Sequence, residues 1–268
     1  MTSTRSAERP AFWGLSALLF VASAAGTILW CASMSGPAMS DMPMPGGWTM
    51  SMAWMRMPGQ TWPVAAASFL GMWVVMMTAM MLPSLLPMLR RYRAAVGTAA
   101  GARLGGLTAV VGLGYFSVWT LLGLAVYPLG VGAAALEMRE PSLARAVPFA
   151  TAGVVLLAGL VQLTDWKARQ LACCGAAPAR GRPMPVDAGT AWRHGLGLGV
   201  RCSRCCAGQM AVLLCIGVMD LRAMALVGAA ITAERVAAAG ARFARGTGAI
   251  FVGAGLFFLA RALTTHIS

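Results

Sequence analysis

Long apolar runs separated by short breaks that carry arginine make up almost the whole chain. An α-helix rises about 1.5 Å per residue and a hydrocarbon core is about 30 Å thick, so one crossing needs roughly 20 apolar residues. Runs near that length lie at about residues 11–31, 63–89, 105–131, 147–163, 194–219, 223–239 and 246–263. The expected fold is therefore all-α: one polytopic transmembrane helix bundle over residues 1–268, with about seven helices. The fourth and sixth runs are the shortest, and short runs can be re-entrant, so six crossings is the alternative. The first run exceeds the 7–15 apolar residues of a cleaved signal and is expected to stay as a helix. Pro83 and Pro87 are expected to kink or end the second.

Composition agrees with burial in lipid. Hydrophobic residues make up 59% of the chain and charged residues 11%, against about 25% charged in a soluble domain; the mean hydropathy is +0.72. A net charge of +13 suggests nucleic acid in a soluble protein. Here the basic residues gather in short loops, where they orient membrane helices, and no interleaving of aromatic and basic residues accompanies them. Nucleic acid is not an expected partner; the lipid bilayer is. With the N-terminus inside, the inner side carries Arg5, Arg9, Arg90, Arg91, Arg93, Arg103, Lys167, Arg169, Arg180, Arg182, Arg193, Arg235, Arg242 and Arg245. The outer side carries only Arg56, Arg139, Arg145, Arg222 and Arg261. The expected topology has a cytoplasmic N-terminus, an outside loop at 32–62, a basic cytoplasmic loop at 166–193 and an outside C-terminus.

Small residues let membrane helices approach closely. Gly105, Gly106, Gly112 and Gly114 on one run, and Gly195, Gly197 and Gly199 on another, are the expected crossing points.

Candidate chemistry rests on sulfur. Five of the seven cysteines fall within 34 residues, and the densest group is Cys202-Ser203-Arg204-Cys205-Cys206. Residues three and four apart share a helix face, so Cys202, Cys205, Cys206, Gln209 and Met210 line one stripe. Thiolates and thioethers select copper(I), zinc or iron–sulfur centres. Small buried hydrophobes are the ordinary reading of free cysteine, and it suits Cys31 and Cys215. A dense dithiol cluster can also exchange disulfides. Cys173 and Cys174 lie on the expected reducing side, where thiols stay free.

Methionine is abundant, with 20 residues. Met34, Met39, Met42, Met44, Met50, Met52, Met55 and Met57 fall in the first outside loop, a proline- and glycine-rich stretch expected to be flexible and to expose its thioethers. In the second run Met72, Met76 and Met80 form one row, with Met77 and Met81 beside it; this is either a sulfur-lined path or core filling. Asp220 with Arg222, and Glu234 with Arg235, are expected to pair at an interface. Arg201 and Arg204 lie within a predicted helix, expected either to snorkel or to favour the thiolate form of the cysteines. No nucleotide-binding loop, His-Glu-x-x-His or haem-attachment motif occurs.

Several blocks resemble a known family. They are Met76-Met77-Thr78-Ala79-Met80-Met81-Leu82-Pro83-Ser84; Lys167 with Leu171 and Cys174; Gly195, Gly199, Cys202, Cys205, Cys206 and Met210; Gly217-Val218-Met219-Asp220-Leu221; and Glu234-Arg235. The chain resembles the bacterial proteins described as predicted metal-binding integral membrane proteins, domain of unknown function 2182. Gln170 stands where that family has the first cysteine of its loop pair, and Gly175 where it has an arginine. Its histidine position falls at Leu198, while this chain has His194 one turn earlier.

The resemblance implies a multi-pass protein of the bacterial inner membrane with its C-terminus in the periplasm. It also implies a metal site that draws on the cysteine triple and on Cys174, which stands at the second cysteine of the family's loop pair. The expected function is binding of a soft transition metal, copper(I) favoured and zinc the alternative, on Cys202, Cys205, Cys206 and Met210. Cys174, His194, Met76, Met80 and Met81 are further candidate ligands, and a periplasmic metal-handling protein is a candidate partner. A membrane thiol-disulfide oxidoreductase and a structural scaffold without a metal site are the other readings.

Overall fold

A computed structural model of the chain describes residues 3–34, 42–56, 59–175, 186–237 and 239–267. Among these residues the helices are α1 (Ser3–Met34), α2 (Trp62–Val96), α3 (Leu104–Arg139), α4 (Pro141–Gln162), α5 (Asp165–Gly175), α6 (Ala188–Ile216), α7 (Leu221–Val236) and α8 (Gly240–Ile267). The chain is an all-α bundle. Among the described residues six segments are long and apolar enough to cross a membrane: Pro10–Ser33, Trp62–Val96, Ala99–Arg139, Pro141–Gln162, Ala188–Ile216 and Gly240–Thr264. The remaining predicted crossing is α7. Its 16 residues span about 24 Å at 1.5 Å per residue, short of a full core.

Pro83 and Pro87 do not end α2, which runs on to Val96. Prolines are tolerated in membrane helices where neighbouring groups satisfy the freed backbone.

Glycine sets two of the helix crossings. α3 packs along α6, and a Cβ on Gly195 would collide with the Val111 carbonyl, on Gly114 with Trp192 O at 2.6 Å, and on Gly199 with Val118 Cγ2 at 2.8 Å. α4 packs along α8, where a Cβ on Gly159 would meet Val252 N at 2.8 Å. Of the expected crossing points, Gly105, Gly106, Gly112 and Gly197 border open space instead.

Residues 42–56, between α1 and α2, carry more regular structure than their composition suggests. Met42–Met44 (β1) pairs antiparallel with Trp48–Met50 (β2), with Met42 opposite Met50. Gly46 and Gly47 make the turn at φ +100° and +74°, a region that glycine enters without penalty. Trp48 Nε1 donates to Ala144 O at 2.8 Å and ties the hairpin to the start of α4. Met50 is buried, so it has a packing role and is not the exposed thioether the sequence suggested. Met39 and Met57 lie outside the described residues, as do Arg180 and Arg182 of the basic loop. What is described of that loop includes α5, a short helix packed on α6.

Candidate metal centre

The stripe predicted on α6 forms: Cys202, Cys205, Cys206, Gln209 and Met210 are all buried. α2 contributes the facing sulfurs, with Met72, Met76, Met77, Met80 and Met81 all buried. Both methionine rows are thus inside the bundle, and Met81 of the second row is the one that faces the cysteines. Cys202 Sγ stands 4.0 Å from Met81 Sδ.

Four helices converge on Cys202. Tyr115 of α3 donates its hydroxyl to Cys202 Sγ at 3.0 Å. Arg235 of α7 donates Nη1 to the same sulfur at 2.7 Å and to Ser84 Oγ of α2 at 2.9 Å. Cys206 Sγ donates to Cys202 O at 2.9 Å, one turn back on α6. Ser84 precedes Arg90 by six residues, about 9 Å of helix, and Cys202 follows Arg193 by nine, about 13 Å. The centre is therefore set into the bundle, away from the basic ends of these helices.

Cys205 faces a second set of groups. Lys167 of α5, only 2% exposed, donates Nζ to Cys205 O at 2.6 Å and pairs with Glu234 Oε2 at 2.8 Å. Gln162 and Gln209 donate to Glu234 Oε1 at 2.8 and 2.9 Å. A buried ion pair leaves polar atoms that need partners, and here the carboxylate has three. Cys174, near the end of α5, donates to Arg201 O at 3.4 Å. A hydrogen bond with the Cys205 thiol pulls the Cys174 thiol below its ordinary range; burial opposes this, and Arg235 and Arg201 add to it.

Two predicted pairs are not formed. Glu234 and Arg235 do not pair with each other at an interface. Successive residues on a helix point about 100° apart, so Glu234 reaches Lys167 while Arg235 reaches Cys202. Asp220 caps α7, accepting from the backbone of Arg222 at 2.8 Å and Ala223 at 3.0 Å.

The structure brings Cys174, Cys202, Cys205, Cys206 and Met81 into one neighbourhood. His194 does not join it: the ring is half-buried and stacks on Tyr92 at 5.4 Å, eight residues and about 12 Å of helix before Cys202. Met210 lies the same number of residues beyond Cys202. Met80 packs against Gly228 of α7, and Met76 is core. Cys173 is exposed, Cys31 is buried and Cys215 is exposed. The side chains of Arg201 and Arg204 are exposed.

Sequence reasoning did not pick out Tyr115, Gln162 or Lys167 as site residues. A polar group inside or at the end of an apolar run was the available signal, and Gln162 and Lys167 carried it. Among the described residues, no three His, Cys, Asp or Glu side chains converge closely enough to hold a metal ion.

No curated protein and no solved structure matches the chain. The pattern that defines the PpoB2 copper chaperone family matches residues 70–258, a stretch that includes every residue of the cluster. Well over half of the sequence is covered, and a metal-related family is what the resemblance implied. The chain belongs to the PpoB2 copper chaperone family.

Proposed function

We propose that the chain is a membrane-embedded copper chaperone whose cargo, copper(I), binds between Cys202 of α6 and Met81 of α2. The observation that carries this reading is the 4.0 Å approach of Cys202 Sγ to Met81 Sδ across two helices. A thiolate and a thioether are ligands that favour copper(I). Metal–sulfur bonds of about 2.3 Å span that separation with a bent arrangement. Structural zinc takes four nitrogen or sulfur ligands, and no such convergence exists among the described residues.

Arg235 holds the sulfur that the ion would take. In a low-dielectric interior two neighbouring cations repel strongly, so the guanidinium swings away as the ion arrives, and one positive charge replaces another. Cys174 of α5, whose Sγ donates to Arg201 O one residue before Cys202, supplies a further thiol to which the ion passes.

The test is copper retained by detergent-purified protein after challenge with a copper(I) chelator. Cys202→Ser and Met81→Leu each lose the more tightly held copper that the unaltered chain keeps. Equal retention in all three proteins rules the reading out.

A further inference from the structure

At the far end of α2 from Arg90 a cavity of about 210 Å³ opens between the hairpin segment and the helix ends. Three methionines line it, each from a different part of the chain: Met55 after the hairpin, Met72 on α2 and Met219 in the turn between α6 and α7. Gln60, Ser68 and Tyr127 add polar groups to the wall. The Tyr127 hydroxyl has no hydrogen-bond partner among the described residues.

Methionine usually fills gaps. Here three of them border open volume, enough for several water molecules at about 30 Å³ each. Among the described residues no carboxylate, histidine or cysteine lines the cavity. Calcium and magnesium want oxygen ligands, whereas uncharged thioethers suit copper(I). From Met72 the buried Met76, Met77 and Met80 lead to Met81, nine residues and about 14 Å of helix on.

We propose that this cavity is a second copper(I) site, a docking point where Met55, Met72 and Met219 take the ion before it moves along α2 to Cys202. The proposal rests on the copper reading above and adds a site separate from the cysteines.

The experiment is anaerobic titration of copper(I) into detergent-purified full-length protein against bathocuproine disulfonate. The unaltered chain binds two equivalents. The Met55→Leu/Met72→Leu/Met219→Leu protein binds one, since leucine nearly conserves volume and spares the fold. Met219→Leu alone weakens that equivalent by about tenfold or more and guards against misfolding of the triple variant. Cys202→Ser also binds one equivalent, and in selenomethionine-labelled Cys202→Ser/Met81→Leu protein X-ray absorption shows copper–selenium bonds. The proposal is overturned if the triple variant binds as much copper, as tightly, as the unaltered chain, or if no copper–selenium bond appears. If the triple variant loses an equivalent while Cys202→Ser loses none, the docking site stands and the Cys202 reading fails.

Discussion

The two ends of α7 carry the same local text and meet opposite fates. Each has an acidic residue with an arginine one or two positions on: Asp220 with Arg222, and Glu234 with Arg235. Asp220 is exposed and caps the helix backbone. Glu234 is 3% exposed and accepts from Lys167, Gln162 and Gln209, which come from α5, α4 and α6. A cap can be built from residues within one turn of the helix start, so local sequence suffices for it. A buried carboxylate needs donors brought from elsewhere in the chain, and only helix packing decides which ones arrive.

Replacing Glu234 alone tests that contrast most severely. Glu234→Leu leaves the Lys167 ammonium buried and unpaired, and a broken buried pair costs about 3–5 kcal/mol. Thermal unfolding in detergent is expected to show a large drop in midpoint; an unchanged midpoint would mean that the pair does not hold α5 to the bundle. Adding Lys167→Met to that variant removes both charges and recovers most of the loss, because an apolar pair often replaces a buried ion pair at little cost. A double variant as weak as the two single losses combined would show that the charges act independently.

Arg235→Leu is expected to cost less, about 2–3 kcal/mol for hydrogen bonds to a charged group. It should also tighten copper(I) binding at Cys202, because the competing cation is gone. Loss of both stability and copper affinity would instead make Arg235 part of the metal-bound arrangement. The smallest effect belongs to the other end of the helix: Asp220→Ala removes a cap worth about 1 kcal/mol, Asp220→Asn keeps it, and Arg222→Ala changes little. A large effect of Arg222→Ala on the melting midpoint would restore the interfacial pair that the sequence suggested.

Much of the candidate site was legible beforehand. The spacing of Cys202, Cys205, Cys206, Gln209 and Met210 specified one helical face, and that whole face is buried. The two methionine rows of α2 were equally legible, but nothing in their spacing distinguished Met81 from Met76 or Met80. Only the placement of α6 beside α2 put Cys202 within 4.0 Å of Met81. Tyr115 reads as one more aromatic residue in an apolar run until α3 and α6 close on each other at Gly114, Gly195 and Gly199. Met50 misled for a related reason: a methionine in a proline- and glycine-rich loop looks exposed, and in the folded chain it is buried.

By itself, then, the sequence determined the apolar runs and hence an all-α bundle, the faces of α6 and α2 that carry sulfur, and the grouping of basic charge. These follow from short-range rules: helix rise, the repeat of 3.6 residues per turn and the cost of placing charge in lipid. The tertiary structure alone decided that Arg235 rather than a histidine meets Cys202, that Lys167 folds back onto Glu234, and that Met55, Met72 and Met219 share one cavity. Those contacts join residues far apart in the chain. They depend on how closely helices can approach, which is set by steric contact between surfaces and by the need of buried polar groups for partners.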